Sequence, residues 1–266
     1  MLVFPQLSTG ASVQYPIRTR LSQHSIQSAM EDGTILTLGD DAAAYFTWRM
    51  SFQDLSDLEA SALSNFFVAT QGNLQPFLFL DPTANLLAWP EDFSQAAWQH
   101  NGITFTTAIA DPLGGTRASR ASNETASDLP LAQASQIPGF VQVCFSAYLR
   151  ANAPIAVSLV RSCGSHSQIV QAQLTTTWQR YCLSGNLPGV ADPSQFAITV
   201  PVGVSLEIFG PQVDAQVTPS QYITNAGRCG VYPKARFDMT RFQLTVTGPN
   251  RNACNVLVRS YLSSGV

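Results

Sequence analysis

The stretch Tyr45-Phe46-Thr47-Trp48-Arg49-Met50-Ser51-Phe52 alternates apolar and polar positions. As a strand it places Phe46, Trp48, Met50 and Phe52 on one face and Thr47, Arg49 and Ser51 on the other. A helix is expected directly after it. Ser56-Asp57-Leu58-Glu59 has the capping-box spacing, in which serine hydroxyl and glutamate carboxylate satisfy two unpaired backbone N–H groups. Leu55, Leu58, Ala62, Leu63, Phe66 and Phe67 then recur at three- and four-residue steps and make one apolar stripe. Gly72 stands where a left-handed C-cap residue belongs. Pro76-Phe77-Leu78-Phe79-Leu80-Asp81-Pro82 reads as a short apolar strand stopped by proline. The apolar stripes of strand, helix and strand must pack together.

On the amino-terminal side, Pro5, Gly10 and Pro16 deny residues 1–20 a helix. Two readings of this extended arm stand: an assembly arm, carried by Phe4, Pro5, Tyr15 and Pro16, that lies on a neighbouring subunit, or a strand in the chain's own sheet. Residues 21–39 read as a hairpin turning at Glu31-Asp32-Gly33, since Asp-Gly suits positive φ. His24 has no acid or nucleophile at a motif spacing and reads as a solvated or backbone-bonded side chain.

On the carboxy-terminal side the texture changes after Pro82. Short β-type runs at Gly102–Thr107, Phe140–Leu149, Ile155–Val160, Gln168–Leu174, Trp178–Leu183, Gln195–Thr199 and Val204–Phe209 are separated by Gly, Pro, Asn and Ser. That spacing fits a sandwich or jelly roll. A strand over Phe237–Val246, a turn at Gly248-Pro249-Asn250 and a last strand over Asn255–Tyr261 close the chain.

The totals agree with a mainly β chain with one main α-helix. Of 266 residues, 45% are hydrophobic and only 12% charged, with 17 Gly and 16 Pro. The formal net charge is −3, and the arginines are scattered without a basic stripe, so no nucleic-acid partner is expected. No apolar run approaches the roughly twenty residues that a bilayer crossing needs, and no membrane insertion is expected. The amino terminus lacks the features of a secretory signal, which implies synthesis and assembly in the cytosol. Cys144, Cys163, Cys182, Cys229 and Cys254 show no paired spacing and read as free thiols, with no metal site and no cofactor.

No nucleophile elbow, zinc-protease motif or phosphate loop occurs, so no catalytic residue is assigned and the chain is read as a non-enzyme. Acidic pairs such as Asp40-Asp41 and Glu91-Asp92 could serve a glycosidase. Asp57 and Glu59 are better explained by the positive end of the helix, and Asp92 by a turn. Sugar binding has better candidates. Trp89, Trp98, His100 and Tyr148 could stack on pyranose rings and bond hydroxyls. Trp98 and Trp178 also read as core residues of the sandwich, whereas Trp89 and His100 fall in loops.

Two resemblances follow from these motifs. The order of Arg49, Phe52, Leu55, Glu59, Phe66-Phe67, Gln71-Gly72 and Phe77-x-Phe79-x-Asp81-Pro82 resembles the distal tail (baseplate hub adaptor) proteins of long-tailed phages and gene transfer agents. Phe4-Pro5, Ser8-Thr9-Gly10, Gln14-Tyr15-Pro16 and Pro233-Lys234-Ala235-Arg236-Phe237-Asp238 match further motifs of that family, with Thr240 replacing its second Asp. Asn85-Leu86-Leu87, Glu91-Asp92-Phe93-Ser94, Ala97-Trp98, Asp111-Pro112-Leu113-Gly114-Gly115-Thr116, Phe145–Ala151, Trp178-Gln179-Arg180-Tyr181 and Gly210–Ile223 resemble jelly-roll domains of phage virion proteins, similar to carbohydrate-binding modules. Asp214 stands where that family has glutamate.

Together the resemblances imply a β-rich tail-ring domain (β-sandwich plus helix) over 1–84 and 228–266, interrupted by an inserted jelly-roll β-sandwich over 85–227. They imply a structural virion protein at the tail tip. It would form a homo-oligomeric ring, a hexamer, between tail tube protein and hub or baseplate proteins, its jelly roll facing outward against a host surface glycan. The alternatives are a glycan-binding or depolymerising protein, or another minor tail or fibre-attachment component.

Overall fold

Short β-prone runs divided by Gly, Pro and Asn turns give a mainly β chain with several antiparallel sheets and one α-helix. The computed structural model describes residues 1–262; the side chains of His24, Asp40, Asp41 and Ala42, and the end of the 228–266 segment, lie outside the described residues. In chain order the elements are β1 (Ile17–Ala29), β2 (Ile35–Leu55), α1 (Asp57–Ala69), β3 (Phe77–Leu80), β4 (Ile103–Ile109), β5 (Ala118–Asn123), β6 (Leu129–Pro138) and β7 (Val143–Ala151). Then follow β8 (Ile155–Cys163), β9 (His166–Leu174), β10 (Gln179–Gly185), β11 (Pro193–Val200), β12 (Ser205–Asp214), β13 (Val231–Phe237), β14 (Leu244–Gly248) and β15 (Arg251–Tyr261). Among the described residues no helix is long and apolar enough to cross a membrane. The chain divides into two compact units, one from residues 1–8, 12–79 and 232 onward, the other from residues 9–11 and 80–231.

In the first unit the sheet runs β1-β2-β15-β13-β3, with β14 also beside β15. The alternation in Tyr45–Phe52 is realised on β2: Trp48, Met50 and Phe52 are fully buried, and Val256 and Val258 of the neighbouring β15 share their face. Trp48 lies 4.8 Å from Phe79 and 4.7 Å from Tyr232 between ring centres, and Phe77 lies 5.0 Å from Phe237. Helix α1 covers this layer with Ala60 and Leu63 buried and Phe66 and Phe67 packed against the cluster. Its capping box is complete: the Glu59 N–H donates to Ser56 Oγ at 3.3 Å, and Ser56 N–H donates to Glu59 Oε2 at 2.9 Å. Gly72 takes φ +66 at the other end, where its N–H reaches the Phe67 carbonyl. β2 is far longer than the pattern suggested: the expected return strand after Gly33 and the Trp48 strand are one element of 21 residues. The expected strand over Phe237–Val246 is instead broken: β13 ends at Phe237, and β14 begins at Leu244.

The second unit has two antiparallel sheets, β10-β7-β12-β5-β4 and β6-β11-β8-β9. Val143, Phe145, Ala147 and Leu149 of β7 and Leu206 and Ile208 of β12 are fully buried, as are Leu159, Phe196 and Ile198 of the other sheet. Phe145 and Phe196 meet at 5.5 Å. Strands β5 and β6 were not expected from the sequence. Their runs, Ala-Ser-Arg-Ala-Ser-Asn and Leu-Pro-Leu-Ala-Gln-Ala-Ser-Gln-Ile-Pro, are poor in β-branched and aromatic residues, and pairing with β12 and β11 holds them in place.

Candidate functional site

The sequence candidates fall in two places in the second unit. Trp98 is 4% exposed, edge-on to Phe93 at 5.1 Å, and its indole N–H donates to the Trp89 carbonyl at 2.9 Å. Phe93 stacks on Phe105, and His100 sits edge-on to Phe105 at 5.3 Å. Trp98 and His100 thus belong to one aromatic cluster beside β4, with Trp98 in the interior and His100 half-buried at its margin. Trp89 is half-buried with φ +51, its N–H bonded to Asn225 Oδ1 and the Ala226 carbonyl, and Gly227 pressed against its ring. Tyr148 lies elsewhere, on the outer face of the β10-β7-β12-β5-β4 sheet, with the Arg180 guanidinium over its ring and Phe209 beside it.

Most motif residues prove to be clasps. Asn85 is fully buried: its amide donates to the Pro211 carbonyl at 2.9 Å and its Oδ1 accepts from Leu87 and Val213 N–H. Gln212 accepts from Ile223 N–H at 2.8 Å and donates to Ser220 Oγ and to Asp214. Asp111 collects the N–H groups of Leu113, Gly115 and Arg117 and makes a tight turn of the Asp-Pro-x-Gly-Gly-Thr run. Burial works to raise the Asp111 carboxyl, and these bonds outweigh it and hold it low. Gly210 takes φ +58 directly under Tyr222, where a Cβ would lie 2.5 Å from the ring. Tyr222 in turn donates to Glu91 at 2.8 Å. Asp92 bonds Ser94 N–H as a turn residue, as its sequence setting suggested. These contacts hold segment 215–226 across part of the outer face of the sheet.

What the clasps leave uncovered is a polar row on that face. Cross-strand register places Arg120 of β5 opposite Glu207 of β12, and Glu207 opposite Arg150 of β7. Arg120 reaches Glu207 Oε1 at 2.7 Å and Arg150 reaches Oε2 at 2.5 Å. The Arg150 guanidinium lies 4.7 Å from the ring centre of Trp178, whose indole N–H donates to the Ala110 carbonyl. The two arginine side chains are 39% and 29% exposed, the glutamate only 7%. Thr106 of β4 faces Arg120, and the next row carries Thr104, Ser122 and Ser205, the two serines 2.7 Å apart. Burial tends to raise the Glu207 carboxyl, yet the bonds from Arg120 and Arg150 prevail and keep it ionised. Trp178 is half-buried beside this row, not sealed in the sandwich core as expected.

The row offers forked donors, one fixed carboxylate and several hydroxyls on a rigid sheet, the equipment for bonding the hydroxyl groups of a sugar. Sequence reasoning passed over Arg120 and Glu207 because they lie 87 residues apart and meet only through register. The Arg180 of the Trp-x-Arg-Tyr run turns out to be a strap residue, bonded to the Ser220 carbonyl and Ser146 Oγ. Among the described residues no group of His, Cys, Asp and Glu is placed to hold a metal ion.

No protein-family model matches the chain, and no curated protein sequence does. Among solved structures, the chain is similar to the enzymatically active domain of tailspike protein 4 of bacteriophage CBA120, at 15% identity and a TM-score of 0.40. That match covers 50% of this chain and 22% of the tailspike chain. It is also similar to the CBM22-1 xylan-binding domain of Paenibacillus barcinonensis Xyn10C (10% identity, TM-score 0.39, 52% of this chain and 94% of that one). The C-terminal family 22 carbohydrate-binding module of Clostridium thermocellum Xyn10B matches at 14% identity and a TM-score of 0.42, over 53% of this chain and all of that one.

Proposed function

We propose that this protein is a structural component of a phage-like tail tip, assembling as a hexameric ring between tail tube and hub. Its second unit presents the Arg120–Glu207–Arg150 row to a host surface glycan. One observation carries the assembly reading. Among the described residues β2 has only β1 as a partner over 35–44, and β15 joins it from Tyr45 onward. Residues 23–44 are therefore a two-stranded ribbon. Ile26, Met30, Ile35, Leu36 and Leu38 on it are 43% to 65% exposed, on both faces. An isolated hairpin is marginal in water, and clustered apolar exposure of this kind marks a surface made to be covered. A neighbouring copy in a ring supplies that cover by a head-to-tail contact. The motif order of the flanking segments supports placing the ring in a tail.

The non-catalytic reading rests on the chemistry of the row. Glycoside hydrolysis uses two carboxylates flanking the bond. Glu207 has no second carboxylate in its row among the described residues, and two guanidinium groups occupy its oxygens.

Native mass spectrometry of the purified chain tests the assembly, with ring species expected for the wild type and monomer for the Ile26→Ser/Leu36→Ser/Leu38→Ser variant at unchanged circular dichroism. A wild type that stays monomeric at tens of micromolar contradicts it. The alternative, a free-standing glycan-binding or depolymerising protein, predicts oligosaccharide binding or cleavage by a monomer, weakened at least tenfold by Arg120→Ala.

A further inference from the structure

The first unit carries a second, unrelated feature on the sheet face opposite Trp48 and Met50. A groove of about 470 Å³ is lined there by Arg18, Arg20, Tyr45, Arg49, Asp238 and Arg259. Register sets Arg18 of β1 directly across from Arg49 of β2, and Arg259 of β15 directly across from Arg236 of β13. Like charges placed opposite each other on a sheet work against folding. Here two such pairs share one face. Arg259 has an answer: it meets Asp238 at 2.7 Å and lies 4.6 Å over the Tyr45 ring. Arg18, Arg20 and Arg49 are exposed, and among the described residues no carboxylate pairs with them. Three arginines lining the groove thus have no carboxylate partner among the described residues, in a chain whose net charge is −3.

We infer that this groove binds a compact multivalent phosphate, a pyrophosphate- or triphosphate-type anion. A carboxylate brings one charge and two oxygens, which a single guanidinium can answer, as Arg259 answers Asp238. Two forks converging from adjacent strands call for an anion with more than one charge and oxygens pointing several ways, which a phosphoryl group has. Arg18 and Arg20 stand two residues apart on β1, about 7 Å along the strand, which suits a second linked phosphoryl group. Tyr45 and Thr47, each with a hydroxyl able to donate, line the same groove. Its volume lies in the small-ligand range of about 300–1,000 Å³, which favours a compact anion over an extended nucleic-acid strand.

Isothermal titration of the full chain with inorganic pyrophosphate and with tripolyphosphate, against sulfate at equal ionic strength, tests this. The expected result is saturable binding of one anion per chain, at least tenfold tighter than sulfate. Arg49→Gln and Arg18→Gln each weaken it at least tenfold, and Arg241→Gln, outside the groove, leaves it unchanged. A separate thermal readout guards against a folding artefact: without anion at low salt, Arg49→Gln melts higher than wild type, because a like-charge pair is gone, and pyrophosphate no longer shifts it. Binding no tighter than sulfate, or kept in both glutamine variants, overturns the inference. Displacement of pyrophosphate by a mixed-sequence oligonucleotide at equal phosphate concentration overturns the assignment to a compact ligand.

Discussion

The two units hold their interiors by different means. The first packs rings: Phe4, Trp48, Phe77, Phe79, Tyr232 and Phe237 meet within one cluster, and few polar groups enter it. The second packs aliphatic faces between two sheets but also buries Asn85, Asn123, Gln133, Arg161, Gln212 and Asp214. Irregular backbone explains the difference. Where segments 81–92, 139–142 and 215–226 run outside the strands, their N–H and carbonyl groups need side chains to bond them. Arg161 is the extreme case. Fully buried without a carboxylate, it donates to Ser194 Oγ and to the carbonyls of Val141, Gly185 and Pro138, and burial lowers its pKa. An aromatic cluster tolerates a change by losing area, whereas a polar clasp fails by leaving partners unsatisfied.

Truncations should separate these two modes. The largest effect is expected for Trp48→Ala, which opens a cavity beside Phe79 and Tyr232 and costs about 3–5 kcal/mol in urea denaturation. Trp48→Phe should recover most of it, since area is what matters there. Arg161→Met keeps the volume but removes the guanidinium bonds to three carbonyls and to Ser194 Oγ, and a loss of about 3 kcal/mol is expected by the same measurement. Arg161→Lys should recover little, because a lysine cannot reproduce the fork. A neutral Arg161→Met would mean that the clasps contribute nothing and the contrast is empty.

A smaller effect sharpens the picture at the helix start. Glu59 accepts from Ser8 Oγ at 2.7 Å and Ser8 N–H at 2.9 Å as well as from Ser56. The Ser8 hydroxyl bond leads the influences that take its pKa from 4.5 down to about 2. Stability from this group is therefore complete above about pH 4.5 and disappears as pH falls toward 2. Glu59→Gln should cost about 1 kcal/mol at pH 7 and flatten the wild-type decline between those values. A mutant that declines over this range as steeply as wild type would show that the bond to Ser8 carries no weight.

Much of this was legible in local pattern. The Phe46–Phe52 alternation, the Ser56–Glu59 box, Gly72 and the Asp32-Gly33 turn each act within a few residues, so sequence spacing specifies them. Ser8 and Glu59 are 51 residues apart and their bond has no local signature. The same is true of the candidate row, since Arg120, Glu207 and Arg150 come from three strands that only register aligns. β5 and β6 escaped notice because tertiary pairing overrides their weak propensity. Trp178 was assigned to the core on its residue type alone, and the guanidinium of Arg150 is what occupies it at the surface.

The ribbon of residues 23–44 is the point on which the assembly account turns. Hydrogen–deuterium exchange across a concentration series measures it directly, because an uncovered hairpin opens easily and a seated one does not. Amides in 23–44 are expected to slow markedly as the protein is concentrated into the assembling range, while those of Thr47–Met50, already between β1 and β15, stay unchanged. Exchange in 23–44 that is fast and identical at every concentration would contradict it.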